Sequence, residues 1–181
     1  VGGKQLGDYV FTDAQTLRPH FQNIKAPSGV QLTRTHPPAP SDPSDHATMH
    51  PGVWLAFGDI NGMDFWRNKG RIEHVAFTQL PEVKEGRISF ASKNRFVGSD
   101  GAVMGEQISR FTLRPEGASG VFLTWEATIY SAERDLVFGD QEEMGLGVRL
   151  ATPLIEKVGG VVVNSDGLRG AKVVWGKQAA W

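Results

Sequence analysis

The sequence predicts an all-β protein, an antiparallel β-sandwich with little helix, and three observations carry that reading. Residues Val121 to Tyr130 alternate between Val121, Leu123, Trp125, Ala127 and Ile129 on one face and Phe122, Thr124, Glu126, Thr128 and Tyr130 on the other. This is the period of a strand with one buried side. Short apolar runs of the same kind recur along the chain, separated by tight-turn signals. Twenty-two glycines and ten prolines in 181 residues supply that punctuation.

In chain order, the strand-like runs are Tyr9–Phe11, Val30–Leu32, Val53–Phe57, Ile72–Phe77, Ile88–Phe90, Ile108–Leu113, Leu136–Phe138, Val148–Leu150, Val161–Val163 and Val173–Trp175. Pro27-Ser28-Gly29, Asn61-Gly62, Lys84-Glu85-Gly86, Ser99-Asp100-Gly101, Pro115-Glu116-Gly117 and Asp166-Gly167 are turn sequences. Only Ala151 to Lys157 suits a short helical turn, with Pro153 inside it. No internal repeat or interdomain linker appears, and the length fits one domain spanning residues 1–181. The apolar run up to Trp181 raises the expectation that further strands of the same protein, or self-association, cover the last segment.

The formal net charge of -1 comes from 19 basic and 20 acidic side chains without a basic block, which argues against nucleic-acid binding. No apolar run approaches the ~20 residues of a membrane helix. With no cysteine, disulfides and thiolate metal sites are excluded. Cysteine usage leaves cytoplasmic and exported locations both open.

The site-like features cluster in three segments. Residues 35–44 read THPPAPSDPS and deliver His46 and His50 to the start of an apolar strand. A stiff loop carrying histidines to a strand end is a common way to present a site. The H-x3-H spacing would align both rings on a helix, but the proline-flanked context argues against a helix there. The bland alternative is a pair of loop histidines bonded to backbone or water. Gly58 to Trp66 combines Asp59, Asn61 and Asp64 with Phe65 and Trp66. It reads either as a capped hairpin turn or as an aromatic platform with hydroxyl-binding groups. Asp140-Gln141-Glu142-Glu143 precedes the glycine-rich run to Arg149. It is either a solvated acidic loop or a set of carboxylates at a strand end.

Together these blocks resemble the soluble bacterial PmoA family, which bears the name methane oxygenase PmoA. The blocks are Asp45-His46…His50…Trp54, Gly58-Asp59-Ile60-Asn61-Gly62-Met63-Asp64-Phe65-Trp66, Asp140 to Arg149, Asn164-Ser165-Asp166-Gly167 and Trp175-Gly176-Lys177. They fall in the family's order over most of the chain. Departures are Met49-His50-Pro51, where the family has adjacent histidines and an arginine, and Phe57 in place of a further histidine. The resemblance implies a likeness to carbohydrate-active sandwiches, including the mutarotase-like supersandwich, with a small-molecule or glycan ligand.

The function expected is therefore carbohydrate processing by general acid–base catalysis. His50 or His46 would be the acid and Glu143 the base, with Asp59, Asn61, Asp64, Trp66, Asp140, Arg149 and Lys177 around the ligand. Two alternatives accompany it. One is a sugar-binding module without turnover. The other is a metalloprotein in which His46, His50 and a carboxylate hold the ion.

Overall fold

The computed structural model describes residues 3–117 and 120–181. Among the described residues, eight strands form two four-stranded antiparallel sheets. The strands are β1 (Asp8–Val10), β2 (His20–Gln22), β3 (Val53–Phe57), β4 (Arg71–Lys84), β5 (Arg87–Val97), β6 (Val103–Glu116), β7 (Gly120–Tyr130) and β8 (Met144–Val148). A short sheet has the order β1-β2-β3-β8, and a long sheet is the meander β4-β5-β6-β7. The all-β sandwich expected from the strand rhythm is what forms.

Local chemistry explains the meander. Lys84 and Arg87 pair across a two-residue turn in which Glu85 and Gly86 have φ of 51° and 74°. Left-handed conformations at both central positions suit the twist of the flanking strands. In β7, Val121, Leu123, Trp125 and Ile129 are half-buried while Phe122, Thr124, Glu126, Thr128 and Tyr130 are exposed, as the alternation predicts. Ala127 departs from it and is exposed. Strand β4 lies at a sheet edge, where three register shifts and the exposed Pro81 interrupt its free side. Such irregularities discourage edge-to-edge pairing.

Two apolar clusters hold the layers. Phe21 of the short sheet meets Phe90 and Phe111 of the long one, flanked by Tyr9, Val53, Leu123 and Trp125. Ring pairs there, such as Phe90–Phe111 at 4.6 Å and Phe21–Phe111 at 5.2 Å, each add roughly 0.5–1.5 kcal/mol beyond area burial. A second cluster gathers Trp54, Ala56, Ile60, Phe65, Trp66, Ile72, Phe96 and Met104. The stretch of the long sheet between Phe90 and Phe96 carries buried Ser92 and Asn94, facing Gln107 and Ser109. Tyr9 and Trp125 satisfy part of this polar row through Ser92 (3.2 Å) and Ser109 (3.1 Å).

Several apolar runs do not become strands. Val30–Leu32, Leu136–Phe138 and Val161–Val163 contribute only isolated bridges, at Gln31, Phe138 and Val163. Residues 173–174 of the expected strand Val173–Trp175 instead close a helical turn, α1 (Ala171–Val174), followed by Trp175 at its C-cap. A three-residue apolar run has no period, so only a neighbouring free edge can make it a strand. The turn expected over Ala151 to Lys157 forms as two one-turn 3₁₀ helices, Thr152–Leu154 and Glu156–Val158. Pro153 sits in the first turn, where its missing N–H costs nothing. Trp175 and Trp181 are 61% and 76% exposed.

Candidate functional site

The proline-rich loop after Thr33 is shaped by two buried guanidinium groups. Arg34 donates from Nη1 to the carbonyls of Pro43 (2.6 Å) and Asp45 (2.8 Å), and from Nη2 to those of His46 and His50 (both 3.4 Å). Arg18 donates from Nη1 to the carbonyls of Phe65 (3.0 Å) and Trp66 (2.8 Å) and to Asn68 Oδ1 (2.9 Å). Its Nη2 reaches the Met49 carbonyl. A loop without secondary structure must satisfy its carbonyls elsewhere, and a planar fork of five donors suits that task. Burial draws the Arg18 pKa down to about 10, which leaves it charged at neutral pH.

Clamped in this way, residues 46–50 close a helical turn. His50 N donates to the His46 carbonyl at 3.0 Å, and His46 itself takes a φ of 51°. The proline-flanked context thus does not prevent the two rings from sharing a face. Their centroids lie 4.6 Å apart, edge to face.

His50 stacks on Trp54 at 4.8 Å with an 18° interplanar angle, and the Trp66 indole N–H donates to its Nε2 at 3.3 Å. Because Nε2 accepts, the neutral ring carries its proton on Nδ1. Burial pushes the His50 pKa down to about 4, helped by the positive charges of His46, Arg149, Arg18 and Arg34. His50 is therefore neutral at physiological pH.

His46 is 48% exposed, and its Nδ1 lies 3.8 Å from Asp45 Oδ2. Asp45 receives Arg149 Nη2 on both carboxylate oxygens, at 2.7 and 2.8 Å. Partial burial favours the protonated carboxyl, but the Arg149 hydrogen bond, with the charges of Arg149, Arg34 and His46, holds Asp45 below the usual range. Asp45, His46, His50 and Arg149 form one polar corner beside a buried indole pair.

The other expected site residues fall elsewhere. Asp59 Oδ1 accepts the Gly62 N–H (2.7 Å), and Asp64 Oδ1 accepts those of Trp66 (2.9 Å) and Arg67 (2.8 Å). Asn61 bonds the Val137 N–H (2.6 Å) and the Asp135 carbonyl (3.0 Å), pinning that loop to the turn. For these three residues the capped-turn reading of the sequence is the one realised. Trp66 is only 7% exposed, so its ring belongs to the core and is no open platform; its indole N–H reaches the site instead. Glu143 pairs with Arg67, which also pairs with Asp64 at 3.0 Å. Its carbonyl accepts the Gly58 N–H at 2.9 Å, just past the end of β3. The Glu143 carboxylate is thus engaged by Arg67, the residue after Trp66. Asp140 is exposed on the preceding loop. Lys177 lies on the exposed turn after α1, whose hydrogen bonds run within residues 162–181 and to Glu156.

Sequence reading missed Arg18, Arg34, His20 and His36. His20 pairs in register with Trp54, and its Nδ1 bonds the Arg18 carbonyl at 3.0 Å. His36 lies 5.4 Å from His20 and bonds Thr16 Oγ1 through Nε2 (3.1 Å), while its buried Nδ1 has no partner. Burial lowers the pKa of both. His20 and His50 thus both adjoin Trp54, with His36 against His20 and His46 against His50, though the four are spread over 30 residues of sequence. Among the described residues, no group of three or more His, Asp or Glu side chains converges closely enough to hold a metal ion. The proposed His46, His50 and carboxylate ligand set is accordingly not assembled.

A family model matches residues 1–181 from end to end. The chain belongs to DUF6807, a family of unknown function. No curated protein and no solved structure matches it. No helix of the described residues is long and apolar enough to cross a membrane.

Proposed function

We propose that the chain binds and processes a small polyhydroxylated ligand, of the carbohydrate class, at the corner formed by Asp45, His46, His50 and Arg149. One observation carries this reading: a neutral His50, fixed by the Trp54 stack and the Trp66 N–H, stands against an exposed His46 that is backed by a carboxylate. His46, exposed and next to Asp45, is the group that takes and returns a proton. His50 stays neutral and offers Nδ1–H to an oxygen on which charge develops. Neutral imidazoles held this way act as electrophiles rather than acids. Arg149 and Asp45 supply a donor and an acceptor for hydroxyl groups. The reaction class is proton transfer at C1 or next to a carbonyl carbon.

The test is a panel of reducing and keto sugars, followed by NMR exchange at the anomeric or α-carbon position. His46→Ala should slow exchange by roughly 10²–10⁴-fold, the usual weight of general acid–base catalysis. Absence of binding by every sugar, or unaltered exchange in His46→Ala, would sink the proposal. A second reading, binding without turnover, is favoured by the Asp64–Arg67–Glu143 ion pairs, which occupy the carboxylates a second proton carrier would need. In that case His46→Ala leaves ligand affinity nearly intact and no sugar is turned over.

A further inference from the structure

We propose that the open end of the sandwich is a separate binding site for an acyl-chain carboxylate. The two sheets are unequal: β1, β2 and β3 have 3, 3 and 5 residues, while β5, β6 and β7 have 11, 14 and 11. The inner face of the long sheet therefore overhangs the short one. A cavity of about 620 Å³ opens there, between Phe90, Leu113 and Leu123 of the long sheet and Tyr9, Phe21 and Val53 of the short sheet. It holds none of Asp45, His46, His50 or Arg149. Its size falls in the range of small-molecule sites, and an apolar cleft with a few polar groups at one end is their usual form.

The charge of the lining selects the occupant. Lys25 and Lys4 both line the cavity and are exposed, and Lys4 Nζ donates to the Pro27 carbonyl at 3.1 Å, whereas among the described residues no Asp or Glu lines it. An apolar chain buried against Leu113, Leu123 and Val53 would leave its head group beside the Lys25 ammonium. The complement is a carboxylate on a flexible hydrocarbon. An amine of equal length would meet like charges, and a neutral sugar would find few hydroxyl partners among the aliphatic walls.

The experiment titrates the full chain with dodecanoate and with dodecylamine below their aggregation concentrations, by calorimetry and by methyl NMR. Dodecanoate is expected to bind saturably at one equivalent and to shift methyl signals of Leu113, Leu123 and Val53, with dodecylamine at least tenfold weaker. Lys25→Glu should weaken dodecanoate roughly fivefold, the upper reach of a partly exposed ion pair. Leu123→Asp should abolish binding by placing a like charge in the cleft. Should that variant not fold, Ala26→Trp, on the same lining, blocks the cavity and carries the same expectation. The proposal falls if binding is not saturable, if amine and carboxylate bind equally, or if the shifted methyls lie elsewhere. It also falls if the cleft methyls shift with protein concentration alone, which would mark the cleft as a contact between copies of the chain.

Discussion

Replacing Gly147 by alanine isolates the packing that sets the His50 ring. Gly147 pairs with Trp54 across β3 and β8, and its φ lies outside the left-handed region, so alanine is free to adopt its backbone. The obstacle is space. An added Cβ would fall inside van der Waals contact with Trp54 Cε2 and Cζ2 and 2.8 Å from Nε1. Trp54 is buried and has His50 stacked on it, Trp66 5.2 Å away and Arg18 5.8 Å from its ring, so the indole cannot yield without moving them. Overpacking of this kind costs up to about 3 kcal/mol. Alanine recovers about 0.5–1 kcal/mol of the backbone entropy that glycine loses in a strand. The net cost is about 2 kcal/mol, or roughly 4–8 °C in Tm for a chain of this length. Gly145→Ala is the control, because Gly145 has a φ of 84° and open space around its Cβ position. It should cost about 1 kcal/mol of backbone strain and leave the site alone. Calorimetric melts of both variants, with NMR of the His50 ring protons, check the pair. The reasoning fails if Gly147→Ala melts no lower than Gly145→Ala, or if the His50 signals do not move.

Arg34→Met should destabilise the fold by about 2–4 kcal/mol, since it strips charged donors from part-buried loop carbonyls, and should speed amide exchange over residues 43–50. Urea unfolding and hydrogen exchange check it. Acid sensitivity follows from His50: its folded pKa of about 4 lies below the unfolded value near 6.5, so the unfolded chain binds more protons between those limits. The His50 contribution is therefore fully present above pH 6.5 and is lost as the pH falls toward 4. His20 and His36, also shifted down by burial, add the same sign. Unfolding free energies at pH 7 and pH 5 should differ less in His50→Gln than in the parent chain. Asn61→Gly keeps the left-handed backbone but loses both side-chain bonds to residues 135–137; it should cost about 1 kcal/mol, less than Asn61→Ala, which adds strain at φ 52°. Thermal melts of the two variants decide it.

How far the sequence is legible depends on how local the signal is. The β7 alternation and the Glu85-Gly86 turn are local statements, so they read correctly. The run Val173–Trp175 carries no period, and its helical turn is fixed by a bond from Val174 N to the Gly170 carbonyl and by the docking of Gly170 on Val162. The same contrast governs the site. The proximity of His46 and His50 follows from four residues of spacing once their turn is closed, but Arg34, 12 residues before His46, is what holds that turn. Asp59, Asn61 and Asp64 have the composition of a ligand site, yet their hydrogen-bonding capacity is used by their own turn and by the Asp135–Val137 backbone.

The sequence by itself determined that the protein is an antiparallel β-sandwich, and which segments hold its polar and aromatic side chains. Strand period and turn chemistry act over two to ten residues and need no partner to be read. Only the tertiary structure decided which of those side chains meet. Register placed His20 beside Trp54, an indole N–H set the His50 tautomer, and Arg67 paired with Glu143. Those outcomes rest on contacts between residues tens of positions apart, whose energies depend on burial and geometry that no local pattern encodes.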